Sequence, residues 1–367
     1  MKRPDISLNL VNFTMVVAIV ALSAYLLIVG QDLLLPLVIA IAFWYLINVL
    51  ASGFARLTIG GRHLPRPLCF AAAILSFLAG ISFIVQFVSG GLEDLGGAAR
   101  QYETNLLAHW ENLPFAETMP VEGFTQLLGE QMDLSGLFAA VALSFTGIAA
   151  DSLLILIYTG FLLFEQGNFD EKLSALVAHP ARERQVRRII GRIRADTRKF
   201  ISIKLFTSVL TGTLSYLLLR FWQVDFAEVW AVLIFLLNFI PTVGSIIATL
   251  FPALVALAQS PDGLALSLLV LLSIGSLQVL IGNIIEPRLM GTSLNLSPVV
   301  ILFNLALWGY MWGIAGMFLC VPFLIIITIV LANFPRTRPI AILLSSNGQV
   351  DIAEEVAPEP PVSPVNP

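Results

Sequence analysis

Two apolar stretches in the C-terminal half of this chain are each too long to cross a membrane once, and each is interrupted near its middle. The first runs from Phe226 to Ala258 and is broken by Pro241 and Gly244. The second runs from Leu296 to Ala332, with Gly309, Gly313 and Gly316 near its centre and Pro322 beyond. A straight helix needs roughly 20 residues to span the hydrocarbon. Backbone groups freed by Pro or Gly at membrane depth must be satisfied by neighbouring protein or by a water-filled cavity. Broken apolar segments in corresponding halves of a chain therefore point to a binding site between them.

The rest of the chain is equally apolar. Charged residues make up 12% and hydrophobic residues 57%, against about 25% charged in soluble proteins. This balance describes an integral, multi-span membrane protein. Cys69 and Cys320 both lie in apolar segments, and His63, His109 and His179 all lie in polar connections. Neither a disulfide framework nor a metal site fits that placement, and no cofactor is expected. Lys2 and Arg3 precede an apolar run over 11–29, which could be a signal peptide. A second run begins after only Gly30, Gln31 and Asp32, so a retained first helix is the better reading.

Spans are expected at 11–29, 33–52, 68–89, 143–164, 201–219 and 264–285, plus the two broken stretches. The fold class is thus an all-α polytopic membrane protein with about six full spans and two re-entrant helical hairpins, or eight spans if each broken stretch is a kinked helix. Five regions follow: a three-span unit (1–89), an acidic extracytoplasmic segment (90–142), span four with a basic helix (143–200), a core containing the broken helices (201–335) and a disordered tail (336–367). Lys and Arg concentrate at the N-terminus, between spans two and three, in 165–200 and after the last span, whereas 90–142 is acidic. The positive-inside rule places both termini and 165–200 in the cytoplasm and 90–142 outside. Within 182–200, Val186, Ile190, Ile193, Thr197 and Phe200 share a helical face opposite arginines, which suggests an amphipathic helix on the inner leaflet. Lys204 is expected to snorkel to the headgroups.

As a hairpin, the first stretch gives about 14 residues per limb, or roughly 21 Å, with its tip at 240–245. The second gives a comparable pair of limbs around 308–316. One ordinary span precedes each hairpin, so the two would enter from opposite sides as an inverted-topology repeat whose tips converge. Polar residues and turn formers at this depth mark the candidate pathway. They are Asn238, Pro241, Thr242, Gly244 and Ser245 in the first stretch, Gln278 and Asn283 in the intervening span, and Asn304, Tyr310, Gly313 and Gly316 in the second. Neutral amides and hydroxyls suit an uncharged hydrophilic solute or a partly hydrated ion; the competing role for each is helix–helix hydrogen bonding. Glu286 and Arg288 flank Pro287 as an interfacial pair or loop anchor. Glu286 and Asp151 are the carboxylates positioned for proton or sodium coupling. Gly244-Ser245 has no histidine at comparable depth, and no HExxH or paired intramembrane aspartates occur, which argues against an intramembrane enzyme.

The run Asn283-Ile284-Ile285-Glu286-Pro287-Arg288-Leu289-Met290-Gly291, followed by Leu296-Ser297-Pro298, resembles the signature of the AI-2E (autoinducer-2 exporter-like) transporter family. So do Asn238 to Ile247, Trp312 to Pro322, and the Arg-rich segment leading into Phe200-Ile201-Ser202-Ile203-Lys204. The resemblance implies a multi-pass transporter of the bacterial inner membrane, assembled as a homo-oligomer with a pentamer as one arrangement. It implies export of autoinducer-2 in some members and Na⁺(Li⁺)/H⁺ antiport in others. The partners it suggests are a small polar solute or a monovalent cation and the lipid bilayer, with no nucleic acid.

Overall fold

The computed structural model describes residues 8–59, 62–111, 152–177, 179–260, 263–291 and 295–350. Asp151, residues 112–142 of the acidic segment and the tail from 351 lie outside the described residues. The elements are α1 (Leu8–Val29), α2 (Gln31–Phe54), a two-residue antiparallel pairing of β1 (Thr58–Ile59) with β2 (Arg62–His63), α3 (Arg66–Glu111), α4 (Ser152–Glu165) and α5 (Phe169–Leu176). Then come α6 (Pro180–Phe221), α7 (Ala227–Leu237), α8 (Val243–Ala258), α9 (Gly263–Leu280), a π turn (Ile281–Ile285), α10 (Glu286–Met290), α11 (Pro298–Ala332) and α12 (Arg338–Leu344). The chain is an all-α polytopic membrane protein. Among the described residues, five helices are long and apolar enough to cross a membrane, or six if α4 and α5, bent by 73°, count as one.

Both broken stretches double back. In a straight helix Trp230 and Phe251 would stand about 31 Å apart, yet their rings stack with centroids at 6.2 Å. A Cβ on Gly244, in the first turn of α8, would collide with the carbonyl oxygen of Leu237 at the end of α7. α7 and α8 are therefore the two limbs of one helical hairpin. α11 comprises two helical limbs that join at a reversal, where Trp312 (φ −130°, ψ 17°) and Gly313 (φ 61°, ψ −144°) leave helical geometry. Across that reversal the Asn304 amide donates to the Cys320 carbonyl at 2.5 Å, and the Trp308 and Phe323 rings meet at 4.2 Å. A Cβ on Gly316 would strike the Trp308 carbonyl oxygen, so only glycine permits this closeness of the limbs.

Three clusters hold the elements together. Hairpin one packs Trp230, Leu233, Ile234 and Ala253 against Leu219 of α6 and Val270 and Ile274 of α9. Hairpin two packs Leu305, Trp308, Met311, Trp312 and Cys320 around Ile240, with Leu27, Leu34 and Leu35 at the margin. Ile47 and Ala51 of α2 meet Ala73 and Phe77 of α3. Lipid tails are as apolar as leucine, so dispersion and buried hydrogen bonds, more than exclusion from water, set these contacts. At the base of hairpin one, Tyr102 on the long extension of α3 donates to Asp225 at 2.8 Å and Asn105 to the Ala258 carbonyl at 2.8 Å. Burial and the Asp225 carboxylate push the Tyr102 hydroxyl pKa up.

Two expectations need correction. The basic segment and span five form one unbroken 42-residue helix, α6; no Pro or Gly lies between Gly191 and Gly212 to turn it onto a leaflet. Its polar end is tied to neighbours, with Arg187 donating to the Asp170 carbonyl of α5 at 3.0 Å and Lys199 donating to the Met290 carbonyl at 2.9 Å. The region 336–367 is not wholly a disordered tail either. Apolar Ile340, Ala341 and Ile342 build α12, and its exit is held by Ser297 N–H donating to the Leu344 carbonyl at 2.9 Å and Ser346 N–H to Asn295 at 3.3 Å.

Gly313 occupies backbone space that side chains strain to enter, so Gly313→Ala should destabilise the detergent-purified protein by about 1–3 kcal/mol. Gly80→Ala, where nothing lies within 4 Å of the added carbon, should instead be neutral or slightly stabilising by about 0.5 kcal/mol. Thermal melts of the two variants beside the parent check both values.

Candidate functional site

A cavity of about 600 Å³ opens beside the tip of hairpin one. Its polar wall comes from three places: Asn238, Thr242 and Ser245 at the tip, Gln278 and Asn283 on α9 and the π turn, and Lys204 with Glu286 where α6 meets α10. Leu296, Ile301 and Val321, from hairpin two and its approach, form the apolar side.

The tip owes its shape to Pro241. Lacking an N–H and restricting the residue before it, proline ends the helix. The next residue, Thr242, sits at φ 58°, ψ −59°, and Val243 N–H donates back to the Pro241 carbonyl at 2.6 Å. This is a γ-turn of the rarer, strained hand, here carried by a β-branched residue. Ser245 donates to the Thr242 carbonyl at 2.8 Å, closing the first turn of α8. Asn238 donates to Ser208 at 3.0 Å, fixing the tip to α6.

Pro287 shapes the opposite wall in the same way. Its ring crowds the carbonyl four residues back, that of Asn283. The helix widens into the π turn, and Glu286 N–H reaches the Ile281 carbonyl. The Gly282 carbonyl thereby loses its helical donors, because one has moved to Ile281 and the other position is proline. π turns of this kind recur at functional sites. Gly282 lines the cavity.

Lys204 and Glu286 form a charge-assisted pair, with Nζ donating to the two carboxylate oxygens at 2.7 and 2.9 Å. Their side chains are only 7% and 13% exposed. This corrects two sequence expectations. Lys204 does not snorkel outward, and Glu286 pairs across helices with Lys204, not locally with Arg288. A lysine one turn inside an apolar span next to a cavity gains more from a buried carboxylate than from reaching outward alone. Gln278 Nε2, also buried, finds no acceptor among the described residues. A buried donor left unmatched costs about 1–3 kcal/mol, so the position suits a bound polar group.

Of the residues singled out from sequence, Asn238, Pro241, Thr242, Ser245, Gln278, Asn283 and Glu286 share this cavity. Gly244 lies behind it, at the close approach of the two limbs. Asn304 lies within hairpin two, where its amide serves Cys320 and accepts from Trp308 Nε1 at 3.1 Å. Gly313 and Gly316 shape the turn of that hairpin, and Tyr310 faces outward, 85% exposed. Asp151 lies outside the described residues. The tips do approach, with Phe239 stacked on Phe318 at 5.7 Å. Sequence reasoning missed the face of α6 that presents Lys204, Thr207, Ser208, Thr211, Gly212 and Ser215, all buried. Their spacing of three and four was the available signal.

A family model described as AI-2E family transporter matches residues 13–336. The AI-2 transport protein TqsA of Escherichia coli K12 is 26% identical over 94% of this chain and 98% of its own length. A Haemophilus influenzae protein, provisionally named as a transport protein, is 32% identical over 66% of this chain and 68% of its own. A Borreliella burgdorferi protein with the same provisional name is 34% identical over 55% of each chain.

Thr242 stores strain that glycine would release. Thr242→Gly should remove one hydroxyl from the polar wall and raise stability by about 1 kcal/mol, the relief of a left-handed threonine less the extra freedom of the unfolded glycine. An unchanged or lowered melting temperature would show that the γ-turn carries no strain.

Proposed function

Because the chain belongs to the AI-2E transporter family, we propose that it moves a small, uncharged, polar solute of the autoinducer-2 type through the cavity beside hairpin one, in the bacterial inner membrane with both termini cytoplasmic. The observation that carries this reading is the cavity itself: neutral amides and hydroxyls of Asn238, Thr242, Ser245, Gln278 and Asn283 at a break between helices. Broken helices place backbone dipoles and short polar side chains at membrane depth without requiring a net charge there. The unmatched Gln278 donor supplies a fixed hydrogen bond for a solute hydroxyl or carbonyl. TqsA, whose name assigns it AI-2 transport, is alignable along nearly the whole chain, which supports a solute of that chemistry.

Na⁺(Li⁺)/H⁺ antiport is the second reading, and one observation bears on it. Glu286 is the described carboxylate at the cavity, and it already holds the Lys204 ammonium. A sodium ion would have to displace that lysine. This favours the uncharged solute.

Purified protein in proteoliposomes should release preloaded autoinducer-2 faster than empty vesicles. Gln278→Leu should slow that release by about tenfold or more, the loss of one hydrogen bond of roughly 1.5 kcal/mol in the bound solute, while Tyr310→Phe should not alter it. In the same vesicles under a pH gradient, a pH-sensitive dye should not respond to added Na⁺ or Li⁺. Gradient collapse on adding the cation, with no autoinducer-2 release, would replace the solute reading with antiport.

A further inference from the structure

Lys204 and Glu286 are the charged side chains on the cavity wall, and no third charge lines it among the described residues. They come from helices far apart in sequence, and the ammonium touches both carboxylate oxygens, so their charges cancel where a solute would sit. We propose that this pair is the charge filter of the cavity, with Lys204 as much as Glu286 determining which solutes enter. The inference rests on the transport reading above and adds the rule by which the site accepts or rejects a solute.

The physical argument runs through desolvation. One side of the cavity is Leu296, Ile301 and Val321, which offer nothing to an ion that has shed its water. An incoming anion finds Lys204 already neutralised, and an incoming cation finds Glu286 already occupied. Either must break the pair or remain uncompensated in a low-dielectric pocket, and both are costly. A neutral solute with hydroxyl groups does neither. The ammonium has three protons and the carboxylate about four lone-pair sites, so each partner keeps hydrogen-bonding capacity beyond the pair itself. Gln278 Nε2 adds a neutral donor to the same wall. Compensated, the pair is a strong polar surface without net charge. Uncompensated, either half becomes an ion site of the opposite preference.

The test reads ion binding by thermal melting of the purified full-length protein in detergent, independently of flux. Formate is compared with gluconate, and methylammonium with N-methylglucamine, at matched ionic strength; the larger ion of each pair serves as the excluded control. Glu286→Gln leaves Lys204 alone and should gain several degrees in formate over gluconate, saturating with formate concentration. Lys204→Met leaves Glu286 alone and should gain in methylammonium over N-methylglucamine. The parent and the double variant Lys204→Met/Glu286→Gln should respond to neither ion, with the double variant melting above both single variants. Single variants that no small ion rescues would overturn the filter, whether they stay folded or not. A double variant as unstable as the single ones would also overturn it, leaving the pair as a clamp between α6 and α10. Failure here leaves autoinducer-2 release unaffected as a separate observation. Absent release with ion rescue intact would instead reject the transport reading while keeping the filter as a binding property.

Discussion

A backbone carbonyl or amide left bare in hydrocarbon costs several kcal/mol, and this chain interrupts its helices at Pro241, at Gly313 and before Pro287. Everything around those points answers that constraint. The tip of hairpin one is pinned by Asn238 to Ser208 and closed by the Pro241–Val243 and Thr242–Ser245 bonds. The turn of hairpin two lies inside an aromatic cluster, with Trp312 Nε1 donating to the Leu27 carbonyl of α1 at 3.0 Å. Thr207, Ser208 and Thr211 put small hydroxyls along the buried face of α6. Gly212 lets α7 approach so closely that an added Cβ would lie 3.0 Å from Phe235. These bonds and contacts hold each break from its protein side, while Thr242, Gly282 and Gly313 themselves stay exposed.

That constraint also explains what was legible in the sequence. Over-long apolar runs with Pro or Gly at mid-length have few solutions in a bilayer, so residue types alone narrowed each stretch to a hairpin or a kinked span, and contacts across the breaks select the hairpin. The tip residues Asn238, Thr242 and Ser245 followed from position in the run. Lys204 did not, because a single lysine near a span end has a default outlet in the headgroups, and its partner Glu286 lies 82 residues away. Pairings between distant helices leave no local periodicity. Tyr310 and Asn304 were indistinguishable in sequence as polar residues at depth. Only packing separates one that faces outward from one consumed in joining two limbs.

The C-terminal strap shows how a wall without polar groups is held in place. Leu296 is paired in a backbone bridge to Ser345, with the flanking bonds from Ser297 and Ser346. α12 therefore braces the segment that delivers hairpin two to the cavity. A loop between α10 and α11 with no such brace would leave the apolar wall free to drift from a polar wall fixed by hydrogen bonds.

The two hairpins thus divide the work despite their similar design. Hairpin two spends its polar groups internally: Asn304 uses its amide on Cys320 and Trp308, and its glycines serve close contact and reversal. Hairpin one keeps a strained threonine and exposes Ser245 beside a cavity, and the facing π turn strips the helical donors from the Gly282 carbonyl. Strain and unmatched polar groups persist only where surrounding structure imposes them. Two of them, the strained Thr242 and the unmatched Gln278 donor, line this cavity, where Leu296, Ile301 and Val321 supply apolar surface. On the transport reading proposed above, a solute there would take its hydrogen bonds from the tip of hairpin one and from α9 with its π turn, while hairpin two and its approach would set how much room it has.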